Sequence, residues 1–467
     1  MNALLIALTL AVSAGIVFLI PSEGPSALAV SAAVVIPTIL ILSRQGPERT
    51  FLLRIFIVGL LIRLVVGTII YVGHMEAFFG GDANTYDTFG GALNMSWHGD
   101  AYAKEVFEKF MSGGATAWGM LYLVAGVYEM IGRNMLAIQF INAAIGAATA
   151  AVIYYTAQHL FSNIRVSRIA ALLTCFFPSL ILWSSQALKD AIIVLALALA
   201  MHATVHLVER VRFNQVLILS ASLVTLLSLR FYIFYMMAAA VAGAFALGVR
   251  SLNAQSFIQR FLVIAVIGLA FTWFGVINSA STQFERFGNL QAVQNSRLDA
   301  AQTAQSGFAK DVDVRTTGGA LTAIPIGIIY LLFAPFPWQL TSMRQSITIP
   351  EMLVWWFSFP MLVLGIWFAI KHKLRTVAPI LLFTTMLTLA YSLFQGNVGT
   401  AYRQRSQLLV FYFIFVAVGW VLLKERSEER QLQRLISKEQ VAELIAARAS
   451  ARKASDRTTT NTALRSS

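Results

Sequence analysis

Residues 51–72, FLLRIFIVGLLIRLVVGTIIYV, form a predominantly apolar run, and the polar segment GGDANTYD follows at residues 80–87. A helix needs about 20 apolar residues to cross a bilayer, so the run predicts a membrane span. The segment after it places two carboxylates, Asp82 and Asp87, at one membrane surface. Lipid-linked substrates present their head groups at such a surface, which makes the segment a candidate for a functional site.

The composition assigns the rest of the chain to the membrane as well. Of its 467 residues, 58% are hydrophobic and 12% are charged, about half the charged share of a soluble domain. Backbone polar groups inside a bilayer must be paired within the chain, so long apolar runs predict helices. We therefore expect an all-α, polytopic membrane protein. Its formal charge of +13 is spread over short loops and the tail, which favours contact with membrane lipids and argues against a nucleic-acid partner.

Twelve apolar runs are long enough to be predicted spans. Two further pieces are less regular, because 116–131 is short and contains Glu129, whereas 320–337 is interrupted by Pro325 and by two more prolines. Both pieces favour interfacial or re-entrant helices. The sequence thus predicts about 12 transmembrane helices, at residues 3–20, 26–43, 51–72, 135–160, 168–184, 190–208, 214–229, 231–249, 261–280, 352–370, 378–395 and 408–423.

The basic residues orient these spans. With twelve spans, the short loops that carry arginine or lysine fall on one side, and the positive-inside rule makes that side the cytoplasm. Both termini are then cytoplasmic, and residues 73–134 and 281–350 form long outer loops. In the alternative topology the two irregular pieces also cross, which gives fourteen spans and places Asp190 in the cytoplasm. The basic loops favour the twelve-span topology.

Charged residues at the outer ends of the spans form the first candidate site. Asp82 follows one span, Lys189 and Asp190 begin another, and Arg230 separates two short apolar runs. Carboxylates beside basic groups suit a reaction in which a hydroxyl group loses a proton while an anionic phosphate departs. The alternative is that Asp82 and Asp190 only cap or flank helices. No helix is expected directly after Asp82, because it lies in a Gly-Gly-Asp sequence.

A second candidate site lies in GNVGTAYRQR, residues 396–405, between two predicted spans. Arg403 and Arg405 would lie on the outer side against the positive-inside rule, so a partner is expected for them. Forked guanidinium groups beside a glycine-rich turn suit a phosphate or a pyrophosphate. The alternative partners are an anionic lipid and an internal carboxylate such as Glu351.

The order of these parts resembles the GT-C superfamily of polytopic glycosyltransferases, which use polyprenyl-phosphate-linked sugars. The resemblance covers about residues 51–249 and is one of architecture more than of any long motif. It is carried by Arg54 and Arg63 in a span, Asp82 and Tyr86 in the loop after it, a surface helix, the turn Gly132-Arg133-Asn134, the sequence Phe177-Pro178-Ser179, and the residues Asp190 and Arg230.

The resemblance implies roles for these residues. The acidic residue of the first loop, here Asp82, would be the catalytic base, the second carboxylate, Asp190, would help to bind the acceptor or a metal, and basic residues would hold the lipid phosphate. The chain departs from the family in having two spans ahead of the span that leads into the acidic loop and in lacking an Asp-x-Asp pair, since Asp82 and Asp87 lie five residues apart. The second departure leaves a divalent cation open as a cofactor.

These observations predict an inverting glycosyltransferase at the outer face of a bacterial inner membrane. It would move a sugar from a polyprenyl-phosphate carrier to a lipid-linked or surface glycan acceptor. Asp82 would activate the acceptor hydroxyl, Asp190 would orient the acceptor or a divalent cation, and Tyr86 and Asp87 would contact substrate. The departing lipid phosphate would be neutralised by Lys189, Arg230, Arg403 and Arg405.

Two other functions remain open at this point. A polysaccharide polymerase or ligase would transfer a whole oligosaccharide from a pyrophosphate carrier and would depend on the arginines more than on Asp82. A flippase for lipid-linked oligosaccharide would concentrate ionisable residues at mid-membrane along a pathway. In this chain the ionisable residues gather at the ends of the predicted spans.

The same pattern predicts four parts in the chain. Residues 1–50 would form two N-terminal spans, and residues 51–249 would form the catalytic module with its outer loop. Residues 250–423 would form a C-terminal transmembrane module, and residues 424–467 a basic cytoplasmic tail.

Overall fold

The computed structural model describes residues 3–112, 117–247, 289–303, 306–308, 312–340 and 343–464. Regular structure within these ranges is helical, apart from an isolated β-bridge between Gly307 and Asn397. The all-α prediction is therefore confirmed. The helices are α1 (Ala3–Leu19), α2 (Gly24–Ser43), α3 (Arg49–Val72), α4 (Glu76–Phe79), α5 (Asp82–Trp97), α6 (Ala101–Ser112), α7 (Trp118–Ile131), α8 (Met135–Phe161), α9 (Ile164–Phe176), α10 (Pro178–Ser184), α11 (Asp190–Glu209), α12 (Phe213–Leu229), α13 (Phe231–Leu247), α14 (Leu290–Thr303), α15 (Thr317–Phe333), α16 (Met343–Ser346), α17 (Ile349–Phe394) and α18 (Val398–Leu464).

The long apolar helices confirm a polytopic architecture. Among the described residues, six helices are long and apolar enough to cross a membrane, and the bent pair α9 and α10 makes a seventh if it is one span. The shorter apolar helices α1, α12 and α13 match further predicted spans. The predicted spans 352–370 and 378–395 both lie in α17, which has a non-helical residue at Lys373. The predicted span 261–280 lies outside the described residues.

The bend between α9 and α10 follows from the dipeptide Phe177-Pro178. Proline has no N–H group to continue a helix, and the residue before a proline favours extended backbone. Phe177 accordingly ends α9 with φ −68° and ψ 126°, and α10 leaves at an angle of 53°. The bend leads the chain into the turn at residues 185–189, which precedes α11.

Ion pairs at opposite ends of the bundle show how the helices run. At one end, Arg168 pairs with Glu48 at 2.8 Å and Arg165 pairs with Glu428 at 3.0 Å. These residues belong to the loops and the tail that the basic residues assign to one side. The structure therefore brings the start of α3, the start of α9 and the later part of α18 to the same end.

The other end of the bundle carries a second group of ion pairs, in which Arg403 contacts both Asp82 and Asp190. Helix α18 connects the two ends, since Glu428 follows Arg403 by about seven turns. Residues in contact cannot lie on opposite sides of a membrane. The fourteen-span alternative is therefore wrong, because it separates Asp190 from Asp82 by the thickness of the bilayer.

Helix α7 lies along this second end and does not cross the bundle, as predicted for residues 116–131. Near its start, Gly119 packs so closely on the end of α12 that an added Cβ would lie 2.4 Å from the Ser228 hydroxyl oxygen. Near its end, Tyr128 donates a hydrogen bond to Asp87. Both contacts are made at the same end of the bundle, so the helix covers that end.

Helix α15 also stays near this end, in agreement with its prediction as an interfacial or re-entrant helix. Ala320 packs in a small cluster with Phe394 at the end of α17. The Leu332 carbonyl group accepts a hydrogen bond from Trp355, near the start of α17. Helix α17 is kinked at Lys373, and its two ends contact the same part of α18, since Glu351 accepts from Tyr402 and Gln395 donates to Gln404. Its start and its end therefore lie on the same side.

The expectation that no helix follows Asp82 is wrong. Gly80 and Gly81 have positive φ angles of 136° and 61°, and α5 begins at Asp82 itself. The sequence of α5 is polar and contains two adjacent glycines, so no apolar periodicity marks it as a helix. Packing stabilises it instead, since Gly90 lies so close to α7 that an added Cβ would approach Val124 to 2.5 Å.

Candidate active site

Three charged side chains from distant parts of the chain meet at the end of the bundle. Arg403 Nη1 lies 2.5 Å from Asp82 Oδ2, and Arg403 Nε donates to Asp190 Oδ2 at 2.9 Å. Arg403 Nη2 donates to the same Asp190 oxygen. The side chains of Asp190 and Arg403 are 1% and 13% exposed, whereas that of Asp82 is 48% exposed. The site is thus a buried ion pair joined to an accessible carboxylate.

Two more cations complete this group. Arg230, at the junction of α12 and α13, places Nη2 3.5 Å from Asp190 Oδ1. Lys189 Nζ lies 5.8 Å from the centre of the Tyr86 ring. Burial lowers the pKa of Lys189 to about 8, so its ammonium group is mostly protonated at neutral pH. Three cations therefore surround two carboxylates, which leaves the site with one excess positive charge.

Two buried side chains hold the turn that presents Lys189 and Asp190. Asn142 of α8 donates hydrogen bonds of 2.7 Å to the carbonyl groups of both Gln186 and Leu188. Arg63 of α3 donates from Nε to the Ser184 hydroxyl group at 2.7 Å. Asn142 was not among the residues predicted from the sequence. The feature that could have indicated it is a polar amide side chain inside the predicted span 135–160. The geometry of the site thus depends on two residues that do not belong to it.

Asp87, five residues after Asp82 in α5, has its own partners. Its carboxylate accepts a hydrogen bond from Tyr128 at 2.5 Å and pairs with Arg133. These contacts tie α5 to α7 and to the turn between α7 and α8. Tyr86, the neighbouring residue, is buried and lies beside Lys189. The structure therefore brings Tyr86 to the charged group and places Asp87 in a helix-to-helix contact.

Arg405 lies in a separate, fully buried environment. Its Nη1 donates to the carbonyl groups of Leu332 and Ala334 at 3.1 and 3.2 Å, and its Nη2 lies 3.7 Å from Glu351 Oε1. Tyr402 also donates to Glu351, at 2.8 Å. Glu351 was the internal partner considered from the sequence. This placement gives Arg405 a structural role between α15, α17 and α18, and it separates Arg405 from the ion pairs of Arg403.

The residues at the site do not fit a divalent cation. Asp82 and Asp190 are linked by a guanidinium group, and Arg230 and Lys189 add positive charge beside them. Across the described ranges, no three His, Cys, Asp or Glu side chains are grouped so that they could hold a metal ion.

Comparison with protein families adds an independent observation. A family model described as dolichyl-phosphate-mannose-protein mannosyltransferase matches residues 117–274. This match confirms the resemblance to the GT-C superfamily. The matched segment includes Lys189, Asp190 and Arg230, whereas Asp82 and Arg403 lie outside it. A membrane glycosyltransferase is the enzyme class that the match supports.

Comparison with solved structures finds the archaeal oligosaccharyltransferase AglB from Archaeoglobus fulgidus, determined in complex with an inhibitory peptide and a dolichol-phosphate. The two chains are 11% identical, with a TM-score of 0.42 over 84% of this chain. The alignment covers 52% of AglB, so the present chain spans about half of that protein. No curated protein matches the sequence significantly.

Proposed function

We propose that this protein is an inverting glycosyltransferase that moves a sugar from a polyprenyl-phosphate carrier to a lipid-linked or surface glycan acceptor. The observation that carries the proposal is an accessible carboxylate, Asp82, beside a buried group with excess positive charge. A transfer of this kind needs a base for the acceptor hydroxyl and cations for the departing phosphate. The site supplies the base from Asp82, at the start of α5, and the cations from Arg403, Arg230 and Lys189.

Hydrogen-bond donors at the site are available for an anion. A guanidinium group has five N–H donors, of which Arg403 uses three on Asp82 and Asp190. Nη1 of Arg230 is buried and has no hydrogen-bond partner among the described residues. An unpaired buried donor is costly, so a bound phosphate oxygen would stabilise it. These donors and the ammonium group of Lys189 are the proposed contacts of the lipid phosphate.

The net charge of the site favours a phosphate carrier over a pyrophosphate carrier. Two carboxylates and three cations leave one positive charge. A sugar linked through a single phosphate is a phosphodiester with about one negative charge, and it would neutralise that excess. A pyrophosphate diester has about two negative charges, of which one would remain uncompensated in a buried site.

The proposed reaction is a direct displacement. The acceptor oxygen forms a bond to the anomeric carbon on the face opposite the phosphate, and the bond from that carbon to the phosphate oxygen breaks. Asp82 takes the hydroxyl proton, and the electron pair of the broken bond remains on the phosphate, beside Arg403, Arg230 and Lys189. Asp190 holds Arg403 and Arg230 in place. Attack from the opposite face inverts the anomeric configuration.

The site is proposed to face the outer side of a bacterial inner membrane, with both termini in the cytoplasm. The basic loops that contain Arg165 and Arg168 lie at the opposite end of the bundle. The positive-inside rule places such loops in the cytoplasm, which puts Asp82 on the outer side.

The test is a transfer assay with the purified protein in liposomes. Polyprenyl-phosphate sugars would be supplied with a glycolipid extract as the source of acceptors, and the lipid products would be identified by mass spectrometry. We expect release of polyprenyl phosphate. Release of polyprenyl pyrophosphate from a pyrophosphate-linked oligosaccharide alone would indicate a polymerase or ligase. Movement of intact lipid between leaflets without cleavage would indicate a flippase.

The turn at residues 185–189 gives a further prediction for this assay. Replacing Asn142 with alanine removes both hydrogen bonds to the turn and leaves the two carbonyl groups buried without these donors. A displacement of the site by about 1 Å can cost a factor of about 10² in rate, so we expect transfer to slow by up to that factor.

The matched control for Asn142 is Asn134, at the start of the same helix. Asn134 is also buried and also donates two hydrogen bonds, at 3.0 Å to the Glu23 carbonyl group and at 3.0 Å to the Ser26 hydroxyl group. The Asn134→Ala substitution is expected to lower the melting temperature without a comparable loss of rate per folded molecule. Equal rates in the two variants would contradict a positioning role for Asn142.

A further inference from the structure

We propose that the guanidinium group of Arg403 takes the place of a divalent cation between Asp82 and Asp190, so that the site works without a metal ion. The catalytic part of this inference rests on the proposed function, whereas its cation-binding part rests on geometry alone. The two parts can therefore be tested separately.

Arg403 lies where a metal ion shared by the two carboxylates would bind. A divalent cation binds carboxylate oxygens at about 2.0–2.6 Å, so a shared ion would lie directly between the two carboxylates. Arg403 occupies this space, since Nη1 lies 2.5 Å from Asp82 Oδ2 and Nε lies 2.9 Å from Asp190 Oδ2. A metal ion shared by Asp82 and Asp190 would have to displace the guanidinium group.

Arg403 is held in this position by contacts on more than one side. Its Cζ lies 5.7 Å from the centre of the Trp183 ring, which gives a cation–π contact. Asp190, its second partner, is almost completely buried and is fixed at the start of α11. Displacing the guanidinium group would break both ion pairs and the aromatic contact. The bridge is therefore part of the folded structure.

Further cations lie beside the bridge. Arg230 Nη2 lies 3.5 Å from the second oxygen of Asp190, and Lys189 directly precedes that residue. A divalent ion added to these cations would be repelled, and repulsion is strong in a buried site where the dielectric constant is low. With Arg403 in place three cations face two carboxylates, and this excess positive charge disfavours a metal ion; without Arg403 the excess is removed.

The chemical consequence concerns the acceptor proton. A divalent cation could lower the pKa of a coordinated hydroxyl group, whereas a guanidinium group supplies fixed charge and directed N–H donors. Proton removal is therefore left to Asp82, the accessible carboxylate. Arg403 provides the positive charge that a metal would otherwise provide to both the carboxylates and the phosphate.

The test measures binding of Mn²⁺ to the purified protein by electron paramagnetic resonance, in the absence of any sugar substrate. We expect the parent protein to show no Mn²⁺ site that depends on Asp82. The Arg403→Ala variant removes the guanidinium group from between Asp82 and Asp190 Oδ2 and is expected to gain a Mn²⁺ site, which the additional substitution Asp82→Asn removes. Arg403→Lys keeps the positive charge and is expected to gain no site.

A matched control is Arg133→Ala, because Arg133 is also paired with a carboxylate of α5 but with one only, Asp87. This variant is expected to gain no Mn²⁺ site. The proposal is contradicted if the parent protein binds Mn²⁺ in an Asp82-dependent way. It is also contradicted if folded Arg403→Ala protein gains no site, since the two carboxylates would then not form a cation pocket.

A transfer assay tests the catalytic part. Transfer by the parent protein is expected to be unchanged by a chelator, and loss of transfer that Mn²⁺ or Mg²⁺ restores would overturn the proposal. If no condition gives transfer, the proposed function fails while the Mn²⁺ measurements still decide the role of Arg403. If the Arg403→Ala protein does not fold, Mn²⁺ binding by the parent protein and by Asp82→Asn still decides the role of Arg403, since Asp82-dependent binding by the parent would overturn the proposal.

Discussion

The Asp82→Asn variant is expected to fold normally and to transfer sugar about 10²–10⁴ times more slowly than the parent protein, because the loss of a positioned base has a cost of that size. Asp82 is half exposed, and an asparagine oxygen can still accept the hydrogen bond from Arg403. The substitution therefore removes the basic carboxylate with little change in packing. Initial rates of polyprenyl phosphate release and melting temperatures would be measured together.

The control for Asp82 is Glu105, an exposed acidic residue of α6 in the same outer segment. The Glu105→Gln substitution removes one negative charge from that segment without touching the ion pairs of Arg403. We expect its transfer rate to equal that of the parent protein. A transfer rate for Asp82→Asn within a few-fold of the parent would contradict the assignment of the base.

The Asp190→Asn variant is expected to lose both stability and transfer. Asp190 is 1% exposed and pairs with Arg403 and Arg230, so its loss leaves two guanidinium groups without their shared counter-charge. Removing one partner of a buried ion pair typically costs about 3–5 kcal/mol. Thermal unfolding of the protein in detergent would show a lower melting temperature, whereas Asp82→Asn would change it little.

A double variant separates the effect of charge from that of shape. Asp190→Asn leaves three cations beside one carboxylate, Asp82, and adding Arg403→Gln removes one of these cations, so we expect part of the lost stability to return. Transfer should stay absent, because both the bridge and the phosphate contact are missing. An Asp190→Asn protein as stable as the parent would contradict the buried ion pair.

Hydropathy and charge were sufficient to predict the membrane architecture. Runs such as 135–160 are long and apolar, and a bilayer leaves helix as the conformation that pairs their backbone groups. The basic loops placed Asp82 and Asp190 on one side, and the contacts of Arg403 agree with that topology. No comparable run of apolar residues marks α5, whose polar residues are helical because they pack on α7.

The pairing of charges could not be predicted from the sequence. Arg403 and Asp82 are 321 residues apart, and neither local sequence indicates which residue the other would contact. The sequence grouped Arg403 with Arg405 because they are neighbours, yet a helix directs residues two apart to different sides. One arginine consequently reaches the accessible carboxylate, and the other reaches Glu351 in the core. Asn142 was missed because its partners are backbone carbonyl groups, which have no sequence signature.

The most direct test of the central claim is a single-turnover experiment with preloaded donor. Parent and Asp82→Asn proteins would be saturated with a polyprenyl-phosphate sugar, the bound donor would be quantified, and acceptor lipid would then be added. We predict that both proteins bind the donor equally and that only the parent releases polyprenyl phosphate at a normal rate. Release at the parent rate by Asp82→Asn protein, or a slow rate explained entirely by lost donor binding, would contradict the role of Asp82 as the base.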